Sequence, residues 1–296
     1  MEDLSRAYRG EKYITKKKDV GYHATKWVVF LIFVLYGATL LFPFLWMLLN
    51  SFKNGVEFIG NMFGLPQEFD GLNFIEVLEY EMPSGQTIGS MVLMSFLVTI
   101  LGTTINIFFS ACTAYILAKY RFPGRNVIYA VAIFTMIVPI VGTLPSQIKM
   151  MDLFFPNKSI LGVLFLYSGC FGFNFILLYS AFSSVSNSYI EAASIDGAGR
   201  FKTFFGVILP QVKGSIIACS VLQAIALWND YTTPMLFLPD DQQTLAVGLM
   251  SLQTEFDGDY PKLFASMLIA VLPILIIYMI FQKKIIESTN AGGLKG

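Results

Sequence analysis

Six long apolar stretches, separated by short polar segments, dominate the sequence. The first, residues 27–52, contains no charged residue, and a helix needs only about 20 apolar residues to cross the hydrocarbon core of a bilayer. The other five are equally poor in charge, apart from Asp230 in the fifth; they cover residues 82–118, 126–148, 159–190, 214–239 and 263–282. The pattern predicts an all-α polytopic membrane protein with six transmembrane helices.

The polar segments at the two ends of these spans differ in charge. Of the 20 lysines and arginines, only Lys53, Lys149, Lys158 and Lys262 follow an odd-numbered span. Basic residues collect on the cytoplasmic side of such proteins, so both termini are predicted to be cytoplasmic. Residues 1–26 are then a retained leader, because the next apolar stretch is longer than that of a signal peptide and no small-residue cleavage site closes it.

The composition agrees with a protein embedded in lipid. Hydrophobic residues make up 55% of the chain and charged residues only 14%, which is far from the average of a soluble domain. The net charge is zero, so nothing suggests a nucleic-acid partner. Cys112, Cys170 and Cys219 lie in apolar stretches, where a thiol behaves as a small hydrophobic group. We expect neither a disulfide nor a metal site.

One polar, glycine-containing segment, EAASIDGAGRFKTFFGVILP at residues 191–210, interrupts the apolar pattern between the fourth and fifth spans. Ser188 lies three residues before Glu191, which is the spacing of a capping box at the start of a helix. The spacing therefore predicts a short helix that begins near Tyr189.

This short helix should end after about two turns. Gly197 can adopt the left-handed conformation that terminates a helix, and Asp196 is expected to cap the helix that follows. Ala192 and Ala193 give the first helix a thin face that another protein could approach closely. Pro210 removes a hydrogen bond from the second helix, which is expected to return to the membrane.

The segment resembles the cytoplasmic signature of the membrane subunits of binding-protein-dependent ABC importers, which reads E-A-A, three residues, G, nine residues, I-x-L-P. Val207 stands where the signature has Ile. The chain is similar in particular to carbohydrate permeases of the maltose-transporter type with a short periplasmic part, through segments 228–230, 244–249 and 291–296. The residues that match the signature are Glu191, Ala192, Ala193, Gly197, Leu209 and Pro210.

The resemblance implies a type I ABC importer permease fold in a bacterial-type cytoplasmic membrane. Residues 27–287 would form the permease domain, the matching residues and Asp196 in loop 183–213 would contact the ATPase, and tail 288–296 would either reach between two ATPase chains or be disordered. The implied partners are a second related permease, two copies of a cytoplasmic ATPase that binds the ATP, and an external solute-binding protein. The chain contains no G-x-x-x-x-G-K-[ST], so it should be a transport subunit without cofactor or ATPase activity of its own.

Two outer segments, residues 53–81 and 239–262, are rich in carboxylates. Simple solubility of an exposed loop explains this charge as well as docking of the solute-binding protein does. The carboxylates lack the spacing of a calcium-binding EF-hand loop. Both of the first two interpretations stay open.

The candidate substrate pathway centres on Asp230, since an ionisable group inside a span is costly unless it is paired or faces water. A functional role would explain it, and so would a carboxylate that reaches the outer interface or is hydrogen-bonded to another subunit. Trp228 and Asn229 offer a stacking face and an amide that suit a sugar. Asn174 is a further candidate, although amides inside spans more often join helices, as is also expected of Asn106, Gln147 and Gln223. The alternative function is an ion-coupled secondary transporter that uses Asp230, but neither inverted repeats nor charges in several spans support it.

Overall fold

A computed structural model of the chain describes residues 20–69, 71–137 and 143–293. Within these residues the backbone is almost entirely helical, and one isolated β-bridge joins Glu81 to Thr87. The helices are α1 (Val20–Asn50), α2 (Gly55–Gly60), α3 (Leu72–Glu79), α4 (Ile88–Lys119), α5 (Arg125–Ile137), α6 (Leu144–Phe154), α7 (Ile160–Tyr167), α8 (Phe173–Ser184), α9 (Ser188–Ile195), α10 (Arg200–Gln211), α11 (Lys213–Trp228), α12 (Thr232–Phe237), α13 (Leu245–Glu255) and α14 (Tyr260–Gly293). A short 3-10 turn, Asp240–Gln242, lies between α12 and α13.

Three helices of the described part, α1, α4 and α14, are long and apolar enough to cross a membrane. The other three predicted spans are not continuous helices. The fourth divides into α7 and α8 at Gly172, where a φ of 143° interrupts the helix, and the fifth divides into α11 and α12. The third comprises α5 and α6, and residues 138–142 between them lie outside the described part. The count of six spans therefore stays a prediction.

Helix α4 runs through both halves of the core. Toward its C-terminal end, the Tyr115 ring centroid lies 4.7 Å from that of Phe204 and 5.7 Å from that of Phe182, within a buried cluster formed with α8 and α10. Toward its N-terminal end, Gly102 lies so close to α7 and α11 that an added Cβ would be 2.8 Å from a Leu227 side-chain atom. A small residue at this position therefore allows close helix packing.

The predicted outer segment 53–81 is folded around a buried lysine. The Lys53 side chain is fully buried, and its Nζ donates hydrogen bonds to the carbonyls of Asn61 at 2.6 Å and Gly64 at 2.7 Å, and to Asn50 Oδ1 at 2.9 Å. Asn73 donates to the backbone carbonyl of Lys53 at 2.8 Å, which attaches α3 to the same centre. The segment is therefore a compact structure and not an extended loop.

The acidic segments meet at one end of the molecule. Lys262 pairs with Glu76 at 2.9 Å and joins the start of α14 to α3. Tyr80 donates a hydrogen bond to Glu255 at 2.8 Å, and this bond raises the pKa of the tyrosine. Lys158 pairs with Asp240 at 3.4 Å. The contacts bring together the segments that the charge pattern places outside.

Helical backbone extends into both predicted terminal segments. Helix α1 begins at Val20, inside the predicted leader, and residues 1–19 lie outside the described part. Helix α14 continues to Gly293, so residues 288–293 of the predicted tail have helical backbone. Residues 294–296 lie outside the described part. The polar residues at the end of α14 can be helical without an apolar face, because adding residues to an existing helix costs little free energy.

Candidate functional site

The segment between the fourth and fifth predicted spans begins with the short helix α9. It starts at Ser188, one residue before the predicted position, but the capping box is absent. The residue before the helix is Asn187, whose backbone is already helical, and the backbone N–H of Glu191 donates to the carbonyl of Asn187 at 3.1 Å. The Ser188 hydroxyl instead shares a hydrogen bond of 2.8 Å with that of Ser186. The prediction of the helix was correct, and that of its capping residues was wrong.

Helix α9 ends as predicted, at a glycine with left-handed backbone. Gly197 has a φ of 73° and donates from its N–H to the Ser194 carbonyl at 3.1 Å, while Ala198 donates to the Ala193 carbonyl at 2.9 Å. These two bonds form a Schellman motif, which satisfies carbonyls that the helix leaves free. Asp196 is the C-cap residue of α9, directly after Ile195. It caps no later helix, because the backbone before α10 is capped by Gly199 without a side-chain bond, so that prediction was wrong.

The segment presents an apolar surface to its surroundings. Ala193 faces inward and is buried, whereas Glu191 and Ala192 are exposed. Ile195 is 86% exposed and Phe201 is 82% exposed, although both lie outside the predicted apolar spans. Exposed apolar side chains of this size within a polar segment are typical of a protein interface.

The base of the segment is attached to α4 and α8. Lys119, the last residue of α4, donates hydrogen bonds from Nζ to the Val185 carbonyl and, at 3.2 Å, to Asn187 Oδ1. Phe204 of α10 is buried against Tyr115, as described above. Contacts with α4 therefore lie in the chain both before and after the exposed helix α9.

Helix α10 is irregular where the sequence predicts a disturbance by Pro210. Its middle, Thr203–Ile208, is a π-helix in which the N–H of Leu209 donates to the carbonyl of Phe204, five residues back. A proline cannot donate to the usual carbonyl four residues back. The axis then turns by 81° between α10 and α11, so the chain enters the fifth span through a sharp bend.

The carboxylate of Asp230 is occupied by bonds within the chain. Its Oδ2 accepts a hydrogen bond of 2.9 Å from the Tyr167 hydroxyl, and its Oδ1 accepts from the backbone N–H groups of Thr232 at 2.9 Å and Thr233 at 3.2 Å. Asp230 thus holds the start of α12 and joins it to the end of α7. The sequence suggests a functional role, a place at the outer interface or a bond to another subunit for this carboxylate, but it does not predict these partners within the chain.

The two residues before Asp230 both donate side-chain hydrogen bonds to backbone carbonyls of the chain. Trp228 is buried, its indole N–H donates to the Ala270 carbonyl at 3.0 Å, and its ring packs edge-on against Phe96. Asn229 donates to the Ile225 carbonyl of its own helix at 2.8 Å. Trp228 is thus bonded to a helix that is distant in sequence and Asn229 to its own helix, and a role of either residue in sugar binding stays a prediction.

Asn174 belongs to a network of amides that joins three helices. Its Nδ2 donates to Gln223 Oε1 of α11 at 2.7 Å and to Asn106 Oδ1 of α4 at 3.0 Å. Asn106 in turn donates to the carbonyls of Tyr167 and Gly169, which the break between α7 and α8 leaves without helical partners. These are the interhelical bonds predicted for amides inside spans.

A cavity of about 210 Å³ opens beside this network. The three amides line it together with the Phe171 ring, so amide groups and an aromatic face meet in one cavity inside the membrane-spanning part. The sequence predicts an amide in each of these spans. It does not predict that the three amides line one cavity, because that arrangement depends on the break in the fourth span. Among the described residues, no group of three or more His, Cys, Asp or Glu side chains is placed to hold a metal ion.

Comparison with known proteins decides the family. The family described as "Binding-protein-dependent transport system inner membrane component" matches residues 110–289. The chain belongs to this family. The permease is 30% identical over 269 residues to the diacetylchitobiose uptake system permease protein NgcG of Streptomyces coelicolor, an alignment that covers 88% of this chain and 85% of the relative. It is 28% identical over 274 residues to the arabinooligosaccharides transport system permease protein AraQ of Bacillus subtilis, which covers 90% and 94% of the two chains.

The fold of the permease matches that of a solved transporter. A chain in the crystal structure of a bacterial ABC transporter involved in the import of the acidic polysaccharide alginate superposes with a TM-score of 0.77 at 24% identity, covering 89% of this chain and 97% of that chain. This likeness confirms the predicted permease fold. It says nothing further about the spans that cannot be counted from the described helices.

Family membership settles several predictions. A membrane component of a binding-protein-dependent transport system is a transport subunit, so the predicted class and the predicted membrane location are confirmed. ATP hydrolysis belongs to a separate chain in such a system. The alternative of an ion-coupled transporter that uses Asp230 is not supported, and the bonded carboxylate of Asp230 gives it no further basis.

Proposed function

We propose that the permease forms half of the translocation pathway of an ATP-driven importer for a carbohydrate of oligosaccharide size. The relatives are named for uptake of diacetylchitobiose and arabinooligosaccharides, and this is the basis for the substrate class. The other half of the pathway is a second related permease. Two copies of a cytoplasmic ATPase and an external solute-binding protein complete the transporter, and the predicted sidedness places the binding protein at the acidic end.

The observation that carries the mechanism is the exposed helix α9 on a rigid base. Its apolar residue Ile195, together with Phe201 at the start of α10, offers the ATPase a surface to bind. Glu191, Ala192, Ala193, Asp196 and Gly197 shape this surface, while Leu209 and Pro210 direct the chain back into the membrane. When two ATPase chains close on ATP, α9 moves with them, and the contacts through Lys119 and Phe204 transmit this motion to α4.

The substrate pathway in this proposal contains Asn174 and not Trp228 or Asn229. The amides of Asn174, Asn106 and Gln223 line the cavity beside Phe171, and amides with an aromatic face match the hydroxyls and apolar faces of a sugar. Asn106 also satisfies the free carbonyls of the broken fourth span. A sugar could therefore exchange hydrogen bonds with a polar network that is already formed.

Reconstitution of the complete transporter tests the proposal. Proteoliposomes that contain both permeases and the ATPase should take up an oligosaccharide only when ATP is inside and the solute-binding protein is outside. A screen of carbohydrates against the binding protein identifies the sugar to use. Uptake by the isolated chain in an ion gradient, or failure of any ATPase to co-purify with it, would overturn the proposal.

Substitution of Asn174 tests its place in the pathway. Asn174→Ala removes one member of the amide network and should raise the sugar concentration needed for half-maximal uptake about tenfold, which corresponds to the loss of one or two hydrogen bonds. Asn229→Ala removes an amide that is bonded to its own helix and should leave uptake unchanged. The reverse order of effects, measured per assembled complex, would place the pathway at Asn229 instead.

A further inference from the structure

A second cavity lies at the C-terminal end of α4, between its last turns and the start of α10. Its volume is about 540 Å³. The residues that line it are mostly aromatic, and none of them lines the cavity beside Asn174. They are Cys112, Tyr115, Ile116, Tyr120, Arg121, Phe122, Arg200, Phe201 and Phe204.

The cavity spans the predicted cytoplasmic surface of the membrane. Helix α4 leaves its apolar stretch at Lys119, and Cys112 lies seven residues earlier, which is about 10 Å deeper at the rise of an α-helix. The deep wall is formed by Cys112, Ile116 and Phe204, all apolar. At the mouth, Tyr120 and Phe122 provide the aromatic side chains that are enriched where membrane meets water.

Two arginines stand at this mouth without an anionic partner. Arg121 and Arg200 are exposed, and neither guanidinium takes part in an ion pair or a side-chain hydrogen bond within residues 20–69, 71–137 and 143–293. The ion pairs of this part of the chain lie at the acidic end, on Lys158 and Lys262. A guanidinium binds phosphate oxygens in a bidentate manner, so the pair forms a natural phosphate site.

We propose that this cavity binds an anionic phospholipid of the cytoplasmic leaflet. The lipid phosphate lies between Arg121 and Arg200, and one acyl chain follows the apolar wall from Ile116 to Cys112. Basic cavities between membrane helices on the cytoplasmic side are suited to anionic lipid headgroups. Part of the ATPase is the other conceivable occupant, but a soluble chain would not reach 10 Å into the apolar layer, whereas an acyl chain does.

The proposal depends on membrane embedding and on the predicted sidedness, but not on the identity of the transported sugar. Its functional consequence follows from position, because Arg200 begins the helix that connects α9 to the fifth span. A bound lipid fixes the start of α10 against α4 and thus stiffens the connection through which α9 acts.

Lipid retention on the purified complex tests the site. The complex is exposed to vesicles of phosphatidylglycerol or of phosphatidylcholine with the same acyl chains, and bound lipid is counted by native mass spectrometry. We expect one retained phosphatidylglycerol at this site and about 30-fold weaker retention in Arg121→Gln/Arg200→Gln, since each basic residue near a membrane surface contributes about fivefold. The control, Lys202→Gln/Lys213→Gln, removes the same charge from exposed positions outside the cavity and should retain the lipid.

A second variant tests the acyl-chain wall without changing the charge. Cys112→Phe fills the deep part of the cavity and should also reduce retention of phosphatidylglycerol. Three results would each overturn the proposal. They are equal retention of phosphatidylglycerol and phosphatidylcholine, inorganic phosphate that competes for the site as well as phosphatidylglycerol binds it, and unchanged retention in the double arginine variant. Loss of the ATPase from the double arginine variant with lipid retention intact would assign the cavity to the ATPase instead.

Discussion

Gly197 offers the most direct test of how the exposed helix works. Its φ of 73° is a conformation that L-residues rarely adopt, and an added Cβ would meet no atom within 4 Å. The cost of a side chain here is thus entirely in the backbone. For Gly197→Val this cost is about 2 kcal/mol, since a residue with a Cβ loses 1–2 kcal/mol in the left-handed region and β-branching adds to it.

The loop cannot avoid this cost by rearranging. If the backbone relaxes, the Schellman bonds from Gly197 to Ser194 and from Ala198 to Ala193 are lost, at about 1 kcal/mol each. Both routes therefore disfavour the native end of α9 by about 2 kcal/mol, which lowers the fraction of correctly formed loop relative to alternatives about 30-fold. The helices of the membrane core are not touched, so the variant should still assemble.

The assay compares Gly197→Val with two matched variants. ATPase activity stimulated by the solute-binding protein and uptake per assembled complex should both fall in Gly197→Val. Gly197→Asn should retain more activity because asparagine tolerates the left-handed region. Gly199→Val should be nearly normal, since Gly199 has a φ of −68° and open space around it. Normal uptake in an assembled Gly197→Val complex, or an equal loss in Gly199→Val, would refute the reasoning.

Three further predictions follow from the structure. Asp230→Asn keeps an acceptor for the two backbone N–H groups but weakens the bond from Tyr167, so it should lower the thermal stability of the complex by about 1 kcal/mol and leave sugar uptake per complex unchanged. Lys53→Met leaves three buried acceptors without their donor and should lower the free energy of unfolding by about 3 kcal/mol, measured as a lower Tm. Deletion of residues 291–296 should reduce the amount of ATPase that is retained during purification, because the resemblance implies that the tail contacts it.

Controls and contradicting outcomes differ among the three. Asp241→Asn removes an exposed carboxylate of the outer end and should change neither stability nor uptake, whereas a fall in uptake per complex for Asp230→Asn would return that residue to the pathway. Lys149→Met is an exposed control for the buried lysine, and equal Tm values for the two would contradict the role of Lys53. An unchanged stoichiometry of ATPase after the deletion would favour the open alternative of a tail without a partner.

The sequence predicts the features that depend on local geometry. The left-handed Gly197 and the short helix before it follow from residues within one segment, and hydropathy alone identifies α1, α4 and α14. It does not predict the bonds of Asp230 or Trp228, because their partners, Tyr167 and Ala270, lie tens of residues away in the chain.

The interruptions inside the predicted spans were hidden for a different reason. Hydropathy averages over a window, and the break at Gly172 leaves the stretch apolar throughout, so the window detects no change. The free carbonyls at that break are satisfied by Asn106, which belongs to another helix. A polar amide within an apolar stretch is the remaining signal, and its usual interpretation as an interhelical bond is correct here.

The break at Gly172 separates the fourth predicted span into two halves that are attached to different parts of the molecule. On one side of it, the backbone N–H of Ser159 just before α7 donates to the Phe237 carbonyl at 3.0 Å, which ties this half to the acidic end. On the other side, α8 packs with Phe204 near the exposed helix. Helix α4 is continuous and packs against both α7 and α8. The two halves of the fourth span therefore respond separately to movements at the two ends of the molecule. Amide hydrogen exchange should accordingly resolve α7 and α8 as two independent cooperative units.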